Sequence, residues 1–93
     1  MEQKRTIEVL KALADETRIG IVRKLAAECK PVNSCDIVQS CVSRASLSQP
    51  AMSHHFGKLV DAGVIVEHKA GTSKQYMLNT AYLASMGVDV TKL

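Results

Sequence analysis

Aromatic residues are scarce in this chain: among 93 residues there is no tryptophan, one phenylalanine and two tyrosines. Proteins that hold RNA or single strands stack bases on exposed rings, so this composition argues against that class of partner. The one phenylalanine, Phe56, falls on an apolar helix face. No nucleophile motif or glycine-rich phosphate loop occurs. Neighbouring His54 and His55 diverge by about 100° on a helix and cannot serve one substrate atom. Catalysis is not expected. A run of about eighteen apolar residues is absent, as is the charged-then-apolar opening of a secretion signal. The expectation is a cytoplasmic protein with no membrane partner. Internal repeats, low-complexity tracts and Pro- or Gly-rich linkers are also missing, so residues 1–93 read as a single domain. Its one core would be modest, and pairing with a second copy would help stability.

Negative charge is missing in two places. No carboxylate lies between Asp36 and Asp61, and none between Glu67 and Asp89, although acids are frequent elsewhere. The net charge of +3 and a pI near 8.9 permit a polyanionic partner without demanding one. A local lack of acid says more. A surface that meets phosphates gains from carrying no negative charge, and Gln, Ser, Thr, Lys and His hydrogen-bond base edges and phosphate oxygens.

The first acid-free window covers the segment Leu47 to Ile65, LSQPAMSHHFGKLVDAGVI, as far as Val60, just before Asp61. Ser48 can cap a helix, and Pro50 falls in its first turn, where no N–H is needed. Met52, Phe56, Leu59 and Val60 recur on one helical face, while Gln49, Ser53, His54 and Lys58 point elsewhere. Gly63 predicts a left-handed helix end before the apolar run Val64 to Val66. One side is to be buried and the other to read double-stranded DNA. An ordinary amphipathic helix with a solvated polar face has the same capping and periodicity.

Upstream, residues 2 to 13 read as a helix with Ile7, Leu10 and Leu13 on one face. Asp15 starts a second helix, with Ile19, Val22, Leu25, Ala26 and Cys29 on its apolar side, ending at Lys30-Pro31. Asn33 or Ser34 can cap a third, Ser34 to Cys41, burying Ile37, Val38 and Cys41. Downstream, Val64 to Lys69 and Lys74 to Asn79 form a hairpin turning at Gly71. Thr80 to Met86 make a last helix with Tyr82, Leu83 and Met86 apolar.

LSQPAMSHHFGKLVDAGVI, preceded by LADETRIGIVRKL at Leu13 to Leu25, closely resembles the ArsR/SmtB family of bacterial winged helix-turn-helix repressors. The resemblance covers most of the chain. It implies a mainly α fold with a small β-hairpin, in the order α-α-α-α-β-β-α, and a homodimer built on the first and last helices. It also implies steric repression at an inverted-repeat operator, with two recognition helices in successive major grooves. Carried over by position, Gln49, Pro50, Ser53 and His54 match groove-facing residues, and His55 a position nearer the scaffold. The full DNA-binding set expected is Ser48, Gln49, Pro50, Ala51, Ser53, His54 and Lys58 on the helix. Lys69, Thr72, Ser73 and Lys74 join it at the tip of the hairpin, or wing.

Three departures stand out against the family pattern. Glu67 replaces the basic residue common at the wing base, Gly57 a longer polar residue in mid-helix, and Val42 to Leu47 lengthen the connection before the reading helix and carry Arg44. The arsenic-type CVCDL-like string is also broken, since Asn33-Ser34-Cys35-Asp36-Ile37 keeps only Cys35 and Val38 takes the place of a further cysteine. The family's other metal site, on the last helix, needs His and carboxylates, yet residues 80–93 hold no histidine and one acid, Asp89. No metal or cofactor is expected. Cys35, in the first turn of a helix, is the candidate thiol sensor, with Cys29 or Cys41 as a resolving partner. A thiol- or metal-responsive sensor, and a winged helix turned to protein–protein binding, are the alternatives.

Overall fold

The computed structural model describes residues 2–28, 30–37 and 49–93. Helix α1 spans Glu2–Leu13 and α2 spans Glu16–Glu28. A two-residue strand, β1 (Val32–Asn33), leads into helical residues 34–37, the described start of α3. Helix α4 covers Gln49–Asp61, followed by β2 (Ile65–Ala70), β3 (Ser73–Leu78), α5 (Thr80–Ser85) and a 3-10 turn at Val90–Lys92. Val38, Cys41, Cys29, Ser48 and the connection from Val42 to Leu47 with Arg44 lie outside the described residues.

The expected order of elements is present, with one addition. Strand β1 pairs with β3, Val32 opposite Tyr76 and Asn33 opposite Gln75, so the hairpin is part of a three-stranded antiparallel sheet in the order β1-β3-β2. Two residues are too few to display a period of two, which is why the strand is revealed only by its pairing with β3.

Local chemistry fixes the start of α2 and the end of α4. Asp15 caps α2, its Oδ2 accepting the Arg18 backbone N–H at 3.1 Å. At the far end of α4, Gly63 adopts φ +80°. Its N–H donates to the Val60 carbonyl and that of Val64 to the Leu59 carbonyl, both at 3.0 Å, the paired bonds of a Schellman end. Asn79 then ties that corner to the sheet through N–H to Val64 O (2.9 Å) and Nδ2 to Gly63 O (3.2 Å). The helix-to-wing angle is therefore set by hydrogen bonds as well as by packing.

The core draws on every layer: Val9 from α1, Ile21, Val22 and Leu25 from α2, Ile37, Met52 and Leu59, then Val64, Ile65 and Leu83. Burying each such side chain stabilises the fold by about 1.5–3 kcal/mol. On α1 the expected single face is split. Leu13 is buried, but with Val9 and Ala12, while Ile7 and Leu10 stay 45% and 55% exposed. The helix has two apolar strips, and the domain's own core covers only one. On α2, Ile21 is fully buried although Ile19 was the residue expected there, and Ile19 is only partly covered. Leu83 of α5 is completely buried, and Tyr82 and Met86 pack partly against the same core.

Candidate nucleic-acid interface

Helix α4 presents two opposite chemistries. Met52, Phe56 and Leu59 are buried, whereas Ser53, His54, Gly57 and Lys58 are exposed. Gln49 and Pro50 are its first two residues and Ala51 is partly covered in its first turn. No acidic residue lies in that turn. The positive end of the helix dipole is thus left for an anion. Gly57 sits in open space, since a Cβ there would meet nothing within 4 Å; the fold does not explain its presence.

His55 sits in different surroundings from His54. Its side chain is 15% exposed and faces inward, with Nδ1 at 3.4 Å from an Arg18 guanidinium nitrogen and 3.8 Å from Asp15 Oδ2. Arginine only donates, so a hydrogen bond made there has His55 accepting. The same guanidinium donates through Nε to Ala12 O at 2.6 Å and through its other terminal nitrogen to Lys11 O at 3.3 Å, capping the end of α1. Burial works to raise the Asp15 carboxyl. The Arg18 N–H, the positive charge of His55 when its ring is protonated, the Arg18 charge and the Thr17 N–H outweigh it and hold the group below its ordinary 3.8. Three helices meet at this node. Its Asp-x-x-Arg spacing is visible in the chain, and the family resemblance set His55 nearer the scaffold, but nothing in the sequence names Arg18 and Asp15 as its neighbours.

The wing rests on the reading helix through aromatic stacking. Phe56 and Tyr76 lie 4.5 Å apart at 14°. The Tyr76 hydroxyl donates to Glu67 Oε1 at 3.0 Å, and Lys74 Nζ lies 3.7 Å from the same oxygen. Burial first, then the hydrogen bond and charge of Glu67, push the Tyr76 phenol up to about 12. At the tip, Ala70 pairs with Ser73 around Gly71 and Thr72, and Lys69 stands directly opposite Lys74. Like charges in such a pair repel, and an anion placed between them relieves the cost. Lys69, Thr72, Ser73 and Lys74 are all exposed.

Between α4, the start of α3 and the wing runs a cleft of about 230 Å³, lined by Cys35, Ser53, Gly57, Glu67, Lys74 and Tyr76. Cys35 is exposed and free. Among the described residues no group of three His, Cys, Asp or Glu side chains is placed to hold a metal ion, and no described helix is long and apolar enough to cross a membrane.

Residues 15–66 match the model of the family described as bacterial regulatory protein, arsR family. The arsenical resistance operon repressor of Staphylococcus xylosus is 32% identical over 83 residues, 89% of this chain and 74% of that protein. The repressor of the same name from Escherichia coli K12 is 36% identical over 73 residues, 78% of this chain and 58% of that protein. Among solved structures, HlyU from Vibrio cholerae superimposes with a TM-score of 0.72 at 26% identity, covering 91% of this chain and 86% of its own. The transcriptional repressor BigR from Xylella fastidiosa reaches 0.73 at 21% identity over 98% and 84%, a likeness of fold alone. On the family match and the identity to its repressors, this chain belongs to the arsR family, as a winged-helix DNA-binding transcriptional regulator.

Proposed function

We propose that the protein is a cytoplasmic homodimeric repressor that occludes a promoter by binding an inverted-repeat operator. One observation carries the reading. Ser53, His54 and Lys58 are exposed along one side of α4, on an acid-free stretch of chain, and the wing tip adds Lys69 and Lys74. Ser48, Gln49, Pro50, Ala51, Ser53 and His54 are assigned to the major groove, while Lys58, Lys69, Thr72, Ser73 and Lys74 meet the backbone or minor groove. The uncovered strip of α1, Ile7 and Leu10, supports pairing, because one domain leaves both apolar side chains in water. Charge at that strip, in Leu10→Glu, gives a monomer by light scattering and loses operator binding. In a gel-shift titration on a site selected from genomic DNA, Gln49→Ala or His54→Ala costs about 1–3 kcal/mol and blurs base preference. Unchanged affinity in both variants would sink the assignment.

The names of the relatives support a second reading, response to an arsenical, with Cys35 as the exposed thiol on offer. Arsenite that fails to release the operator from wild type, or releases it equally from Cys35→Ser, disposes of that reading. Oxidation at Cys35 is followed by mass spectrometry after mild peroxide treatment.

A further inference from the structure

Glu67 is an acid in the wrong place for a surface that meets phosphates. With Asp61 it is one of the two acids that separate the acid-free windows, and the one that lies on the wing. On the same side of the sheet it is the neighbour of Tyr76 and the diagonal neighbour of Lys74. Its carboxylate is not left loose. The buried Tyr76 hydroxyl anchors it, and Tyr76 is itself clamped against Phe56 of the reading helix. The carboxylate is thus fixed at the cleft between helix and wing, with a side chain 32% exposed, and Lys74, 54% exposed, leans towards it.

Building on the DNA-reading assignment above, we propose that Glu67 is a specificity-determining residue that holds Lys74 back from the phosphates of nonspecifically bound duplexes. Nonspecific binding is a count of neutralised phosphates and released counterions, with little else to offset a repelling carboxylate. Specific binding adds base contacts from α4, which fix the docking geometry and leave a released Lys74 less freedom to find a phosphate than it has in the shifting nonspecific complexes. Glu67 therefore weakens nonspecific binding more than operator binding and widens the ratio between them. Its reach is short: at physiological salt a charge acts over about 8 Å, so the effect runs through Lys74 and the nearest phosphate.

The test measures binding of the full chain to two fluorescent duplexes over a range of salt, one carrying the site selected from genomic DNA and one a shuffled sequence of the same length. Glu67→Gln keeps an acceptor for the Tyr76 hydroxyl and removes only the charge. It should raise affinity for the shuffled duplex about fivefold near physiological salt, one phosphate's worth of counterion release, and steepen the salt slope by about one. Affinity for the selected site should rise less. In a Lys74→Met background the same change should lose most of its effect, which a purely structural role would not predict. An unchanged salt slope in Glu67→Gln, a gain equal on both duplexes, or a full gain retained without Lys74 would overturn the proposal. A wild type that binds neither duplex sinks the DNA-reading assignment as well, and so is distinct from a wild type that binds but is matched by Glu67→Gln.

Discussion

Asp15 does two things at once, and a pair of substitutions separates them. Its carboxylate caps α2 through the Arg18 N–H, and it lies near His55 of the reading helix. Asparagine caps almost as well as aspartate, so Asp15→Asn removes charge and keeps the cap, whereas Asp15→Ala removes both. The cap is worth about 1 kcal/mol. The charge is worth less, under about 1 kcal/mol, because the side chain is 32% exposed and solvent screens it. The sign follows from the direction of the shift. The folded carboxyl ionises below its unfolded value of 3.8, so the charge contribution is fully present above that value and is lost as pH falls through the lowered folded value. Urea unfolding from neutral pH down to the acid limit of the fold should show the Asp15→Asn deficit shrinking on acidification, while the additional deficit of Asp15→Ala persists. A deficit in Asp15→Asn that stays flat with pH would refute the electrostatic half of the reasoning. Equal stability of the two variants would refute the capping half.

Three further outcomes follow from local geometry. Gly57→Ala should raise stability by about 0.5–1 kcal/mol, seen as a higher Tm, since the site is helical and the added methyl meets nothing. Gly63→Ala should lower it by more than about 1 kcal/mol, because φ is +80° and a Cβ would lie 3.0 Å from Tyr82 Cε2; chemical denaturation reads the loss directly. The Tyr76 phenol holds its proton more tightly folded than unfolded, so this contribution to stability is intact below pH 10 and disappears towards pH 12. Ultraviolet titration should place its ionisation near 12 in the wild type and lower in Glu67→Gln.

Helix α4 was the most legible part of the chain. Its burial pattern at Met52, Phe56 and Leu59 and its glycine stop follow from a period and a backbone preference, both local properties. Hairpin and turn were readable for the same reason. What escaped was decided by distant partners. Two apolar strips run along α1, and only the position of α2 and α4 determines that Val9 and Ala12 go inside while Ile7 and Leu10 do not. Strand β1 exists because β3 offers it an edge. Glu67 was visible as an anomaly, but its pairing with both Tyr76 and Lys74 depends on strand register. The DNA-facing set remains an assignment from the sequence, on which the exposure of Ser53, His54 and Lys58 puts no obstacle.

A guanidinium is a rigid fork, and that of Arg18 is shared between the tail of α1 and a ring 37 residues further along the chain. Sliding α1 along its neighbours would strip the fork of one bond or another, so the two helices are geared together. A shift of α1 would therefore reach His55, one position from His54, through Arg18. A substitution as mild as Arg18→Lys, which keeps the charge but loses the fork, should uncouple the gear and leave both helices formed.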